Sequence, residues 1–87
     1  MKILNKDPDA IIDYVFDWTE WLNGDVISTS TFILSGCTNV LDTKTDNTTT
    51  IWLSGGTNNL THSITNRIST IGGRTEDRTL LLNILEK

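Results

Sequence analysis

Thr61-His-Ser-Ile-Thr-Asn-Arg-Ile-Ser-Thr-Ile-Gly-Gly-Arg-Thr-Glu-Asp-Arg-Thr-Leu-Leu-Leu-Asn-Ile-Leu-Glu86 carries two runs with a period of two, one on each side of a glycine pair. The first run sets His62, Ile64, Asn66 and Ile68 on one face. The second does the same for Leu80, Leu82 and Ile84. Successive side chains of a strand point to opposite faces, so each run reads as a strand with one side buried. The polar stretch Ile71–Asp77 joins them as a turn. A chain that closes on such a hairpin is expected to hold more short strands upstream, not a helical core.

The upstream sequence supplies them. Asn5–Asp9 is a polar lead-in containing Pro8, which favours extended or turn backbone. Ala10–Trp18 reads as a strand with Tyr14, Phe16 and Trp18 inward and Asp13, Val15 and Asp17 outward. Thr19–Leu22 breaks the alternation and predicts one helical turn, with Trp21 or Leu22 capping the core. Asn23-Gly-Asp25 is a turn signal. Val26–Leu34 is a second strand with apolar residues on both parities, which one bulge would reconcile. Ser35–Asn39 reads as a loop, Val40 and Leu41 as a short edge strand, and Asp42–Asn47 as a polar connection. Thr48–Ser54 is a strand with Ile51 and Leu53 inward, closed by a turn at Gly55–Asn59. Strands recurring every ten or so residues predict an all-β, immunoglobulin-like antiparallel β-sandwich of about seven short strands, formed as a single domain over residues 1–87.

Composition agrees. The 87 residues include 15 Thr, 8 Asn and 6 Ser, so a third of the chain is small and polar. Thr favours strands, while Asn and Ser favour turns. Net charge is −4, and Arg67, Arg74 and Arg78 are interleaved with Glu76 and Asp77. That is not the basic cluster that nucleic-acid binding requires, so no nucleic-acid partner is expected. No run approaches the ~18 apolar residues of a membrane span, and Met1–Lys6 lacks the apolar stretch of a signal peptide. Cys37 is the lone cysteine, so packing alone must hold the domain.

Few residues suggest catalysis. Cys37 and His62 could in principle form a nucleophile pair. His62 reads better as structural, because it starts a strand where a sandwich often has a Tyr bonded to nearby backbone. One His and one Cys do not make a zinc site, and Asp7, Asp9, Asp13 and Asp17 read as a solvated face, not a calcium cage. The glycine pairs at 55–56 and 72–73 precede no helix and no Lys, so they read as turns. No catalytic residue, metal or cofactor is expected.

The residues without a core role are Trp52, Leu81 and Leu85, which fall out of phase with their inward neighbours. An outward Trp is either covered by the chain itself or used against a partner. With Trp21, these are the candidate interface residues. An exposed Trp could also stack on a sugar, which keeps a carbohydrate-binding module as an alternative, although such sites need coplanar aromatics.

Asp13–Leu22, Gly24–Phe32, Ile51–Gly56, Ile64–Thr70 and Gly73–Arg78, in that order, resemble the motifs of small structural proteins of tailed bacteriophages. Their pattern runs Asp-Trp-x-x-Trp-Leu, a Gly-Asp turn, a Ser/Thr-rich strand with a late aromatic, Val-Trp-Leu-Ser-Gly-Gly, Thr-Asn-Arg-Ile and Gly-Arg-Thr-Asp-Asp-Arg. His62 stands where that pattern usually has Tyr, and Phe32 where it usually has Trp. The resemblance implies an immunoglobulin-like virion component made in the host bacterial cytoplasm. It would act as a tail or fibre-adaptor binding module, in multiple copies, with other virion proteins as partners. Capsid decoration is the alternative location. It implies no functional residues.

Overall fold

The computed structural model describes residues 2–86. Seven strands and one helical turn follow one another: β1 Lys2–Lys6, β2 Ile12–Asp17, α1 Thr19–Leu22, β3 Ile27–Leu34, β4 Cys37–Lys44, β5 Thr48–Gly55, β6 Thr61–Thr70 and β7 Thr75–Ile84. They form a four-stranded sheet, β1-β7-β6-β3, and a three-stranded sheet, β2-β5-β4. Lettering the strands in chain order gives C, F and G in one sheet and B, E and D in the other, the immunoglobulin partition. All pairs are antiparallel except β1–β7. There the first strand lies parallel to the last instead of beside the second.

Alternation decides which side chains meet between the sheets. His62, Ile64, Asn66, Ile68, Leu80, Leu82 and Ile84 are buried, as the closing stretch predicts. Ile64, Leu80, Leu82 and Ile84 pack on Tyr14, Ile51 and Leu53 in one cluster, and Ile68 joins Trp18, Leu22 and Ile27 in a second. Phe16 touches both. In β3 the pairing shifts between Ile27 and Thr29. One extra residue there lets Ile27 and Phe32 both face the core, which is how the two apolar parities coexist.

Three stretches differ from the sequence reading. Lys2–Lys6 is a strand, which takes in Asn5 and Lys6 of the expected Asn5–Asp9 lead-in. Cys37–Lys44 is one eight-residue strand where a loop, a short edge and a polar connection were expected. Its residues are almost all exposed, so no buried side marks it in the sequence. The closing turn is shorter than Ile71–Asp77, because β7 already starts at Thr75. Polar pairing extends it: Arg67 faces Asp77 and Ser69 faces Thr75 across the strands.

One polar knot ties the layers together. Asn66 is fully buried, and its Oδ1 accepts from Trp18 Nε1 (3.0 Å) and the Thr49 hydroxyl (2.6 Å). Its Nδ2 donates to Ser30 Oγ (3.0 Å) and the Thr31 carbonyl (3.2 Å). Every hydrogen-bonding position of the amide is used, so the group can be buried without the cost of an orphaned dipole.

Candidate functional site

The motif residues hold the fold together. Asp17–Leu22 and the Gly73–Arg78 stretch, more than fifty residues apart, dock on each other. Arg74 lies over the Trp21 ring at 4.3 Å and donates to the Trp21 and Leu22 carbonyls, which end α1 without helical partners. Arg78 lies over the Trp18 ring at 4.2 Å and donates to the Asp17 carbonyl. Asp25 completes the joint, accepting from the Val26 and Gly72 N–H groups and from Arg74. A Cβ on Gly72 would come within 2.6 Å of the Asp25 carboxylate, so a larger residue there would push that carboxylate off the turn. The Thr70 hydroxyl first, then these N–H groups and Arg74, hold the Asp25 carboxyl well below the usual carboxylate value, at about 2. Arg67 likewise lowers Asp77, and the Thr19 hydroxyl and N–H lower Asp17.

His62 also has a structural place. Its Nε2 accepts from the Thr57 N–H at 3.2 Å, five residues upstream, in the position of the corner tyrosine of such sandwiches. Gly36 stacks on the imidazole at φ +89°, and a Cβ there would overlap the ring. Cys37 packs against the apolar cluster, and burial pushes its thiol up, which disfavours the reactive thiolate. No cluster of three metal-ligating side chains occurs among the described residues.

The four candidate interface residues do not converge. Trp52 projects from the outer face of the three-stranded sheet, half-buried between Asp13 of β2 and Leu41 of β4. The N-terminal strand joins the other sheet and not this face. The remaining aromatics lie in the core clusters or against them, so none shares the Trp52 face to build a sugar platform. Leu81 projects from the opposite sheet, half-buried in register with Ile3 and Ser63. Around it runs a ladder of paired polar side chains: Thr61–Asn83 (2.7 Å), Thr65–Thr79 (2.9 Å) and Ser69–Thr75 (3.1 Å). Leu85 follows β7, exposed at the end where Lys6 lies. Trp21 is engaged within the domain, edge-on to Trp18 and beneath Arg74.

One feature is not foreshadowed by the sequence pattern. A cleft of about 710 Å³ opens between β2 and the β1–β7 edge, lined by Leu4, Tyr14, Phe16, Arg78 and Leu80 among others. Beside it Ile11 and Val15 stand 61% and 60% exposed, and even Ile12 is 39% exposed on an inward parity. The run Ala10-Ile-Ile12, apolar on both parities ahead of Asp13, was the available signal.

A buried polar knot, arginine-locked corners and two facing sheets define an immunoglobulin-like sandwich. The chain belongs to the family described as podophage GP4 fiber-tail adaptor protein gp77, whose model matches residues 6–83. It is therefore a member of a bacteriophage tail-adaptor family, as its ordered motifs imply. No curated protein matches it in sequence.

Proposed function

We propose that the chain is a non-catalytic binding module of the virion, seated at the neck or tail, where it holds fibre to tail through contacts with other virion proteins. The observation that carries this reading is the family match across residues 6–83. The geometry supports it. Cys37 and His62 are both committed to packing or hydrogen bonding inside the domain, and the free surfaces are sheet faces and strand edges. Synthesis in the host cytoplasm and several copies per particle complete the proposal. Repetition lets weak contacts suffice, because a second contact made within one particle gains from effective concentration. Binding also stabilises a small domain by mass action.

Trp52, Leu81 and Leu85 are the proposed contact residues. Trp52→Ala and Leu81→Asp each change a half-buried outer position and leave the buried clusters intact. Both variants should fold, with a stability loss below ~2 kcal/mol, smaller than a core truncation. Both should be depleted from particles assembled in competition with the wild type. Equal incorporation of both would remove these residues from the interface.

A further inference from the structure

We propose that the free edge of β2 receives an extended segment of a partner virion protein, which adds as a strand to the three-stranded sheet and seats its inward side chains in the cleft between β2 and β7. That the partner is a virion protein rests on the adaptor reading; the strand-accepting edge stands on the geometry alone.

The topology leaves the place open. In the immunoglobulin partition the first strand lies beside the second. Here β1 pairs with Leu80–Ile84 of β7, so β2 has β5 on one side and no strand on the other. Along such an edge alternate N–H and C=O groups point outward and can bond an added strand. Arg78 closes one end by donating to the Asp17 carbonyl at 2.7 Å, which leaves Ile12–Phe16.

The four edge strands are not alike. Natural edges are blunted by lysines, prolines, bulges or short length. β1 is the shortest of them, at five residues. β3 is bulged after Ile27, and β4 is bulged between Asn39 and Leu41 and ends in Lys44. β2 pairs with β5 without a break over all six residues and holds no Lys, Pro or bulge; its two charges, Asp13 and Asp17, both lie on the outward side. Its exposed Ile12 and Val15, with Ile11 just before it, are the apolar surface that an added strand would cover.

Tyr14 supplies an independent sign. It lines the cleft and is 93% buried, its exposed fraction being 7%. Its hydroxyl is the buried side-chain polar atom without a hydrogen-bond partner among the described residues. A buried hydroxyl left unpaired is costly, and a polar group brought in by an inserted strand would satisfy it.

Charge identifies the occupant. Asp13 and Asp17 flank Val15 on the outward side of β2, and the chain as a whole is at −4. A second copy fits badly in the register that pairs Val15 with Val15. The antiparallel register centred on Val15 would set Asp13 against Asp17 in both halves, and like charges across a strand pair destabilise it. The segment that fits has a Lys or Arg beside Asp13, an apolar residue beside Val15, and, alternating into the cleft, apolar side chains with one hydrogen-bonding group for the Tyr14 hydroxyl.

Hydrogen exchange, read by mass spectrometry on the free chain and on purified virion tails, tests this. The outward amides of Ile12–Phe16 should exchange freely in the free chain and slow by about tenfold or more in tails. Unchanged exchange of β2 in tails that contain the chain overturns the proposal and leaves the adaptor reading standing. Absence of the chain from tails overturns both. Slowing in the concentrated free chain, with a dimer mass, assigns the edge to a second copy and overturns the partner segment. Asp13→Lys should fold as the wild type does and be depleted about tenfold from particles in competition. Undiminished incorporation of that variant overturns the basic segment.

Discussion

Asn66 shows what a single residue contributes here. The period of two places it inward, but nothing local says why an amide belongs in a core. The reason lies in partners 17 to 48 positions away, namely Thr49, Thr31, Ser30 and Trp18. Replacing it by Ala strands the indole N–H of Trp18 and the hydroxyl of Thr49 in a dry interior. The expected loss is on the order of 3 kcal/mol, since each orphaned buried group costs about 1–3 kcal/mol. A domain of this size has only ~5 kcal/mol or somewhat more in hand. Asn66→Ala should therefore move the urea midpoint far down, and a shift equivalent to less than ~1 kcal/mol would show that the knot is not a main tie between the sheets. His62 was legible in the same partial way. Its position at a strand start suggested a backbone bond, and it accepts one from Thr57, with Gly36 pressed against its ring.

At the scale of elements, legibility followed burial. β5, β6 and β7 each have one buried side, and their alternation announces them. β4 has almost no buried residue and β1 is a five-residue edge, so neither leaves a pattern in the sequence. The free edge of β2 was hidden for a related reason: a missing neighbour is a fact of topology, which no local window contains. The joint between α1 and the β6–β7 turn belongs to this scale too. Asp25 holds its folded carboxyl at about 2, below the ordinary value of 3.8. A depressed value means that the folded state prefers the ionised form. The contribution is therefore complete above the unfolded value and drains as pH falls from near 4 to near 2. Asp17 and Asp77, lowered in the same direction, add to this window. Urea midpoints should fall as the pH is taken from 5 to 2, and Asp25→Asn should start lower and fall less steeply. An identical pH slope in that variant would show that the joint does not depend on the charge of Asp25.

The whole molecule is elongated, 42 × 23 × 16 Å, because two ten-residue strands run its length. Its two ends are built differently. One is the arginine-locked corner of α1 and Asp25, and the other gathers Lys6, Gly55 and Leu85, with the Lys6 ammonium donating to the Gly55 carbonyl. The outward residues Trp52 and Leu81 belong to opposite faces, and the β2 edge offers a third surface. A body with several separate surfaces is suited to touching more than one neighbour, which is what joining a fibre to a tail demands. The motifs that carry the family likeness turned out to be the ones that fix this body, so the sequence announced the family more clearly than it announced any contact surface. Cryo-electron microscopy of the assembled tail with its fibres is the most direct test. The seven-stranded sandwich should lie between tail and fibre, in contact with both and with a strand from a neighbour laid along Ile12–Phe16. Finding the chain on the capsid, or bound to neither tail nor fibre, would contradict it.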